Sequence, residues 1–141
     1  MIAEVDIGLL KKEVTVLCVE DELIIMESLR MVLRRRFDLI YMASNGEKGL
    51  ELFKKHNIDI VITDIMMPVM SGIEMARNIL ELKPATPIIA LSAINEGPLM
   101  KQVIDVGIKW HIIKPFSDEE FFSVIYEAAI EAYQRREQST S

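Results

Sequence analysis

Five short apolar runs recur along the chain: VTVLCV (14–19), LIYM (39–42), IDIVIT (58–63), IIAL (88–91) and HII (111–113). Each is mostly continuous rather than alternating, the pattern of strands buried on both faces of a sheet. The segments between them follow a different period. Ile25, Leu29, Val32 and Leu33 fall at i, i+4, i+7 and i+8, and Phe121, Ile125, Ala128, Ala129 and Ala132 continue that spacing near the C-terminus. Both sets predict a helix with one apolar stripe. Gly46–Lys54 and Gly72–Leu82 carry weaker helical patterns, the second ended by Pro84 and Pro87. Pro98–Val106 predicts a short helix closed by Gly107, and Ser117 with Glu120 has the spacing of a capping box opening the last helix. Strand and helix alternate five times, which predicts an α/β domain on a parallel sheet. Residues 1–13 read as a leader, 14–132 as the domain, and 133–141 as the end of the last helix and a polar tail that frays from Gln134.

Composition narrows the class. A chain of 141 residues, half of them hydrophobic and few aromatic, makes one domain with a core of Ile, Val, Leu and Met. A net charge of −6 argues against broad electrostatic binding of nucleic acid. Cys18 is the only cysteine, so neither an intrachain disulfide nor an all-cysteine metal site can form, and it reads as inert core. No apolar run approaches the length of a membrane span, and MIAEVDIGLLKK lacks the pattern of a secretory signal. The expectation is a soluble cytoplasmic domain that contacts no membrane.

The candidate chemistry lies at the strand ends. In open parallel sheets, ligands bind beyond the C-terminal ends of the strands. Glu20, Asp21 and Glu22 follow the first run, Asp64 the third, Ser92 the fourth and Lys114 with Pro115 the fifth. The first and third strands would occupy the middle of the sheet, setting Glu20 and Asp21 beside Asp64. Carboxylates so grouped raise one another's pKa unless a cation joins them. With only hard oxygen ligands and no His or Cys at hand, the expected ion is Mg²⁺, for which Mn²⁺ could substitute. A cation, a lysine and a hydroxyl around a carboxylate suit phosphoryl transfer onto that carboxylate, with Asp64 as nucleophile.

VEDE, TDIMMPVMSG, ALSA and IIKPF, in this order and at these separations, resemble the receiver domain of two-component response regulators. The resemblance covers about residues 14–132. It implies a flavodoxin-like, doubly wound α/β fold: a five-stranded parallel sheet of order 2-1-3-4-5 with helices on both faces. It also implies roles. Asp64 matches the phosphoacceptor, and Glu20 and Asp21 match the acids that hold Mg²⁺ together with Asp64 and the backbone carbonyl of Met66. Ser92 matches the switch hydroxyl, and Lys114 the phosphate-contacting lysine, in a Lys-Pro bond that is usually cis in the family. His111 stands at the aromatic switch position, where the family commonly has another ring, and Glu20 stands where many members have Asp. Met66 and Ile94 match the positions that tune loss of the phosphoryl group. Neither can orient water and both can shield the bond, so slow self-dephosphorylation is expected. The implied partners are a sensor histidine kinase or phosphotransfer protein and a downstream output domain or protein, signalled through the face of the fourth helix, fifth strand and last helix. Whether that face also drives a phosphorylation-dependent homodimer is left open, as is whether the chain stands alone or belongs to a larger protein.

Other readings compete residue by residue. Asp64 alone could cap a turn, Glu22 is an ordinary acid at a helix start, Lys114 and Ser92 alone would be a solvated lysine and a loop hydroxyl, and His56 a surface residue. Trp110 could serve interaction or packing, and His111 a switch or a plain strand position. Arg34, Arg35 and Arg36 suit the end of a helix. An aspartyl-phosphate phosphatase would need a second aspartate where Met66 stands, and a flavin or nucleotide module would need a Gly-rich loop where EDELII stands. A phosphorylation switch therefore describes the chain better than an enzyme. The alternative is a receiver-like interaction module that is not phosphorylated, against which the complete acid, Ser and Lys set argues.

Overall fold

The computed structural model describes residues 6–140, and the side chains of all of these except 94, 95, 139 and 140. Five strands, β1 (Thr15–Val19), β2 (Leu39–Ala43), β3 (Ile60–Asp64), β4 (Ile88–Ala93) and β5 (Trp110–Lys114), form one sheet of order β2-β1-β3-β4-β5. Every pairing is parallel. The helices are α1 (Ile7–Glu13), α2 (Leu23–Arg34), α3 (Gly46–Lys55), α4 (Gly72–Leu82), α5 (Met100–Val106) and α6 (Asp118–Thr140). The order and the α/β class are those the sequence implies.

Alternate residues of each strand point to opposite faces. Val16, Cys18, Ile60, Ile62, Ile89, Leu91 and Ile112 pack on one face with Leu29 and Leu33 of α2 and with Phe121, Ile125, Ala128 and Ala129 of α6. Leu17, Val19, Val61, Ile88 and Ala90 pack on the other with Leu50 and Phe53 of α3, Ile73, Met75 and Ile79 of α4 and Val103 of α5. Two cores on one sheet explain why the strand sequences are apolar without alternation. Trp110 is partly buried against the α6 side, so packing is the role its surroundings support. Cys18 is fully buried, and that burial, with the charges of Glu20 and Asp64, pushes its thiol up to about 12, as an inert core residue requires.

Local chemistry sets the boundaries. Asn45 and Ser71 cap α3 and α4 by accepting the N–H groups of Lys48 and Glu74. Ser117 accepts the Glu120 N–H at 3.1 Å, which supplies the half of the expected capping box that the N-cap hydroxyl provides. Gly107 closes α5 at φ 107°, a left-handed conformation that glycine adopts without strain.

Three expectations are corrected. The leader contains helix α1, N-capped by Asp6 and docked through the buried Leu10. Pro98 does not begin an α-helix. It lies inside a 3-10 turn, Ile94–Leu99, and α5 starts only at Met100. The spacing located the helical segment, but 3-10 geometry commonly forms the lead-in to an α-helix, and here it takes Pro98 and Leu99. Gln134 does not begin a segment outside the helix: α6 continues to Thr140, and Ser141 lies outside the described residues.

Candidate functional site

Register brings the predicted residues together. The ladder pairs Val19 with Thr63, so Glu20 and Asp64 leave the sheet side by side. It also pairs Asp64 with Leu91 and Ala93 with Lys114, which sets Ser92 and Lys114 on the same rim. Asp64 and Lys114, with Asp21, Met66 and Glu96, line a cleft of ≈ 500 Å³, while Glu20 and Ser92 are buried beside it. A larger groove, ≈ 570 Å³, lies by Asp59 and Arg136 at the opposite rim, where no comparable group of acids occurs among the described residues.

The backbone at Asp64 is held from three sides. The Thr63 hydroxyl donates to the Asp64 carbonyl at 2.8 Å, and the Gly72 N–H donates to the Ile65 carbonyl at 2.9 Å. A Cβ on Gly72 would collide with the Asp64 carbonyl oxygen, so only glycine allows α4 to begin this close under the rim. Between them, a three-residue turn closes with the Met70 N–H on the Pro68 carbonyl at 2.8 Å and puts Val69 at φ 71°. This conformation is strained for a β-branched residue.

Glu20, Asp21 and Asp64 each offer a carboxylate oxygen, and these lie within 4.8 Å of one another. Lys114 Nζ stands 2.6 Å from Asp64 Oδ1 and 3.7 Å from Glu20 Oε1. The Lys114–Pro115 bond is cis. Glu20 is fully buried; its Oε2 accepts the Glu22 N–H at 3.0 Å, whereas Oε1 has no hydrogen-bond partner. Burial pushes the Glu20 carboxyl up from 4.5 to about 7; the Glu22 N–H works against this and the Asp64 charge reinforces it. Burial likewise raises Asp64, against the Lys114 hydrogen bond and charge and with the help of the Glu96 and Asp21 charges. For Lys114, burial favours the neutral amine, but the Asp64 hydrogen bond and the charges of Asp64, Glu20 and Glu96 outweigh it and raise its pKa. The site thus holds more negative charge than its one lysine satisfies, with a buried oxygen among its acids that accepts no hydrogen bond. Such a donor set fits a hard divalent cation.

Ser92 is buried at the end of β4, and Met66 is exposed at the mouth of the cleft. The side chain of Ile94 lies outside the described residues. His111 is exposed on β5 and does not line the cleft. His56 is half-buried and stacks on Tyr41, with ring centroids 4.2 Å apart. The sequence reading missed Glu96, which reaches back from the 3-10 turn to accept the Ala93 N–H at 2.6 Å. Its signal was an acid three residues after the strand end, the spacing of a cap.

Residues 16–126 match the response regulator receiver domain family. The chain belongs to that family. Over 108 residues, or 77% of this chain, it is 41% identical to the transcriptional regulatory protein ResD of Bacillus subtilis, of which the match covers 45%. It is 32% identical over 110 residues to the chemotaxis protein CheY of Halobacterium salinarum, a match covering 78% of this chain and 92% of that protein. The chain spans about half the length of ResD and of a second Bacillus subtilis regulator, YdfI, where the match covers 54%. Among solved structures, the chemotaxis protein CheY4 of Vibrio cholerae superposes with a TM-score of 0.76 at 25% identity, over 82% of this receiver and 98% of that chain. Among the described residues, no helix of this receiver is long and apolar enough to cross a membrane.

Proposed function

We propose that this receiver accepts a phosphoryl group on Asp64 from the phosphohistidine of a sensor histidine kinase or phosphotransfer protein. An Asp64 carboxylate oxygen attacks phosphorus, the P–N bond breaks, and the imidazole leaves with the electron pair. Glu20, Asp21, Asp64 and the Met66 carbonyl would hold Mg²⁺, or Mn²⁺ in its place. When bound, the ion supplies positive charge that offsets that of the incoming phosphoryl oxygens. Lys114 exchanges its ion pair with Asp64 for one with the phosphoryl group, and Ser92 turns its hydroxyl toward it. The observation that carries this reading is the buried Glu20 Oε1, which accepts no hydrogen bond and shares with two more carboxylates a single lysine, 3.7 Å away.

The two charge states select between two conformations of the rim. Ser92 and the turn after it respond first, His111 follows, and the face of α5, β5 and α6 carries the signal to an output domain or partner protein. That face could also support a phosphorylation-dependent homodimer. The domain promotes its own phosphorylation and dephosphorylation but turns over no separate substrate. We assign it to the cytoplasm, with no direct role on nucleic acid. Met66, exposed at the mouth of the cleft, shields the acyl phosphate and slows its hydrolysis.

Intact mass after incubation with acetyl phosphate tests the reading. The native chain should gain one phosphoryl group only with Mg²⁺ present, and Asp64→Asn should gain none. In the same samples, Met66→Asn should shorten the lifetime of the adduct. A folded native chain that binds Mg²⁺ and gains no mass would overturn the reading in favour of a receiver-like interaction module.

A further inference from the structure

The chain carries nine methionines and one cysteine, and the cysteine is closed to redox chemistry. Cys18 is fully buried and its thiol is pushed up to about 12, so almost none of it is thiolate, the form that reacts with oxidants. The sulfur within reach of an oxidant is therefore that of methionine. Access differs widely among the described methionines. Met75 is fully buried and Met26 nearly so. Met42, Met67, Met70 and Met100 are half-buried, each packed against one of the two cores. Only Met31 and Met66 are open to solvent among the described residues, at 64% and 57% exposed. These two differ in place. Met31 lies on α2 and lines no part of the cleft, whereas Met66 lines it together with Asp64 and Lys114. The Ile65 carbonyl just before Met66 accepts the Gly72 N–H, which anchors this residue at the rim.

We propose that Met66 is a redox modification site, whose oxidation by a small peroxide shortens the life of a phosphoryl group on Asp64. This rests on the reading of Asp64 as phosphoacceptor. With hydrogen peroxide, a sulfur lone pair attacks one peroxide oxygen and the O–O bond breaks. The other oxygen departs with the bonding pair, takes the proton of the transferred oxygen and leaves as water. Sulfur has lost two electrons to the peroxide and is now a sulfoxide. An apolar, flexible side chain has become a polar one. A thioether is a weak acceptor and does not orient water. A sulfoxide oxygen at the same place accepts a hydrogen bond from a water that faces phosphorus, and leaves that water a lone pair with which to attack. The water oxygen bonds to phosphorus, the P–O bond to Asp64 breaks, and the carboxylate is restored as inorganic phosphate departs. Oxidation thus exchanges a shield for a water-positioning group, and reduction of the sulfoxide reverses the exchange. Met31, equally open but outside the cleft, takes up oxygen without consequence for Asp64.

The test is to treat the chain with graded hydrogen peroxide, remove it, load with acetyl phosphate and excess Mg²⁺, and follow the adduct by intact mass. Peptide masses locate each added oxygen. Oxygen should enter Met31 and Met66 before Met26 and Met75. The adduct on the oxidised chain should decay about threefold to tenfold faster than on the untreated chain, the effect of one hydrogen bond to a positioned water. Met66→Leu keeps the apolar bulk but has no thioether, so its decay should be the same with and without peroxide. Met31→Leu should respond as the native chain does, and a methionine sulfoxide reductase should return the oxidised native chain to its untreated decay. An adduct lifetime unmoved by oxygen on Met66, or a Met66→Leu chain that still responds to peroxide, would overturn the proposal while leaving the phosphoacceptor intact. So would a Met66 that stays unoxidised once Met31 has taken up oxygen. No uptake of phosphoryl by the untreated native chain would instead remove the reading on which the proposal rests.

Discussion

The two ends of β3 carry an aspartate each, and the two are used in opposite ways. Asp59, just before the strand, accepts the Thr15 N–H at 2.8 Å and pairs with Arg136 at 3.3 Å. Arg136 also donates to the Glu13 carbonyl at 3.0 Å, so one contact set gathers α1, the start of β1, the start of β3 and the end of α6. Asp64, at the other end, is similarly hidden, yet it shares its lysine with Glu20 and keeps a raised pKa. A carboxylate whose hydrogen-bonding capacity is met holds the structure together. One left in deficit costs stability and stores the capacity to react.

Removing each group should sharpen this contrast. Asp59→Ala strips the Thr15 N–H of its acceptor and uncouples Arg136, and should cost about 2–3 kcal/mol in urea denaturation, tempered by the partial exposure of Arg136. Asp64→Ala should cost nothing at neutral pH without divalent ions, and gain up to about 1 kcal/mol. Equal losses at the two positions would erase the distinction between the rims.

The pH dependence should follow the deficient rim. Glu20 has a folded pKa of about 7 against an ordinary 4.5, so between those values the folded state binds more protons than the unfolded. Stability contributed by this group is therefore present at low pH and is lost as pH rises from 4.5 through about 7. Without divalent ions, the chain should be more stable at pH 5 than at pH 8, with Glu20 contributing about 2 kcal/mol of the difference. Glu20→Gln should flatten that slope, and Mg²⁺ should recover stability at pH 8 in the native chain. A Glu20→Gln profile parallel to the native one would show that the burden lies elsewhere.

The smallest effect is expected in the loop after Asp64. Val69→Gly relieves the φ 71° conformation but loosens the unfolded chain, for a net gain of about 1 kcal/mol or less by thermal denaturation. A loss would mean that Val69 makes contacts worth more than its strain.

The sequence made one rim far more legible than the other. Continuous apolar runs announced strands buried on both faces, and the acids, Ser92 and Lys114 followed directly where those runs stopped. Gly72–Leu82 has the bounds that its stripe, Pro84 and Pro87 predicted. The other rim depends on a contact between residues 77 apart, Asp59 and Arg136, for which no local pattern exists. Arg136 itself stood in what read as a polar tail. Helix α1 buries only Leu10, too little to make a stripe, and Glu96 acquires its place only because the 3-10 turn bends it back into the cleft. What composition and period encode is burial; what they leave out is which distant polar groups meet.

Helix α6 joins the two rims. It begins four residues after Lys114 and carries Arg136 to Asp59, and 23 residues rising about 1.5 Å each make a rod of about 35 Å. Its buried stripe fixes it along the sheet, and the Arg136 contact pins its far end. A rod so pinned cannot swing freely when its near end is displaced. It bends, or it loads the pin. A displacement of its start, four residues after Lys114, would thus reach the point where β1 and β3 begin.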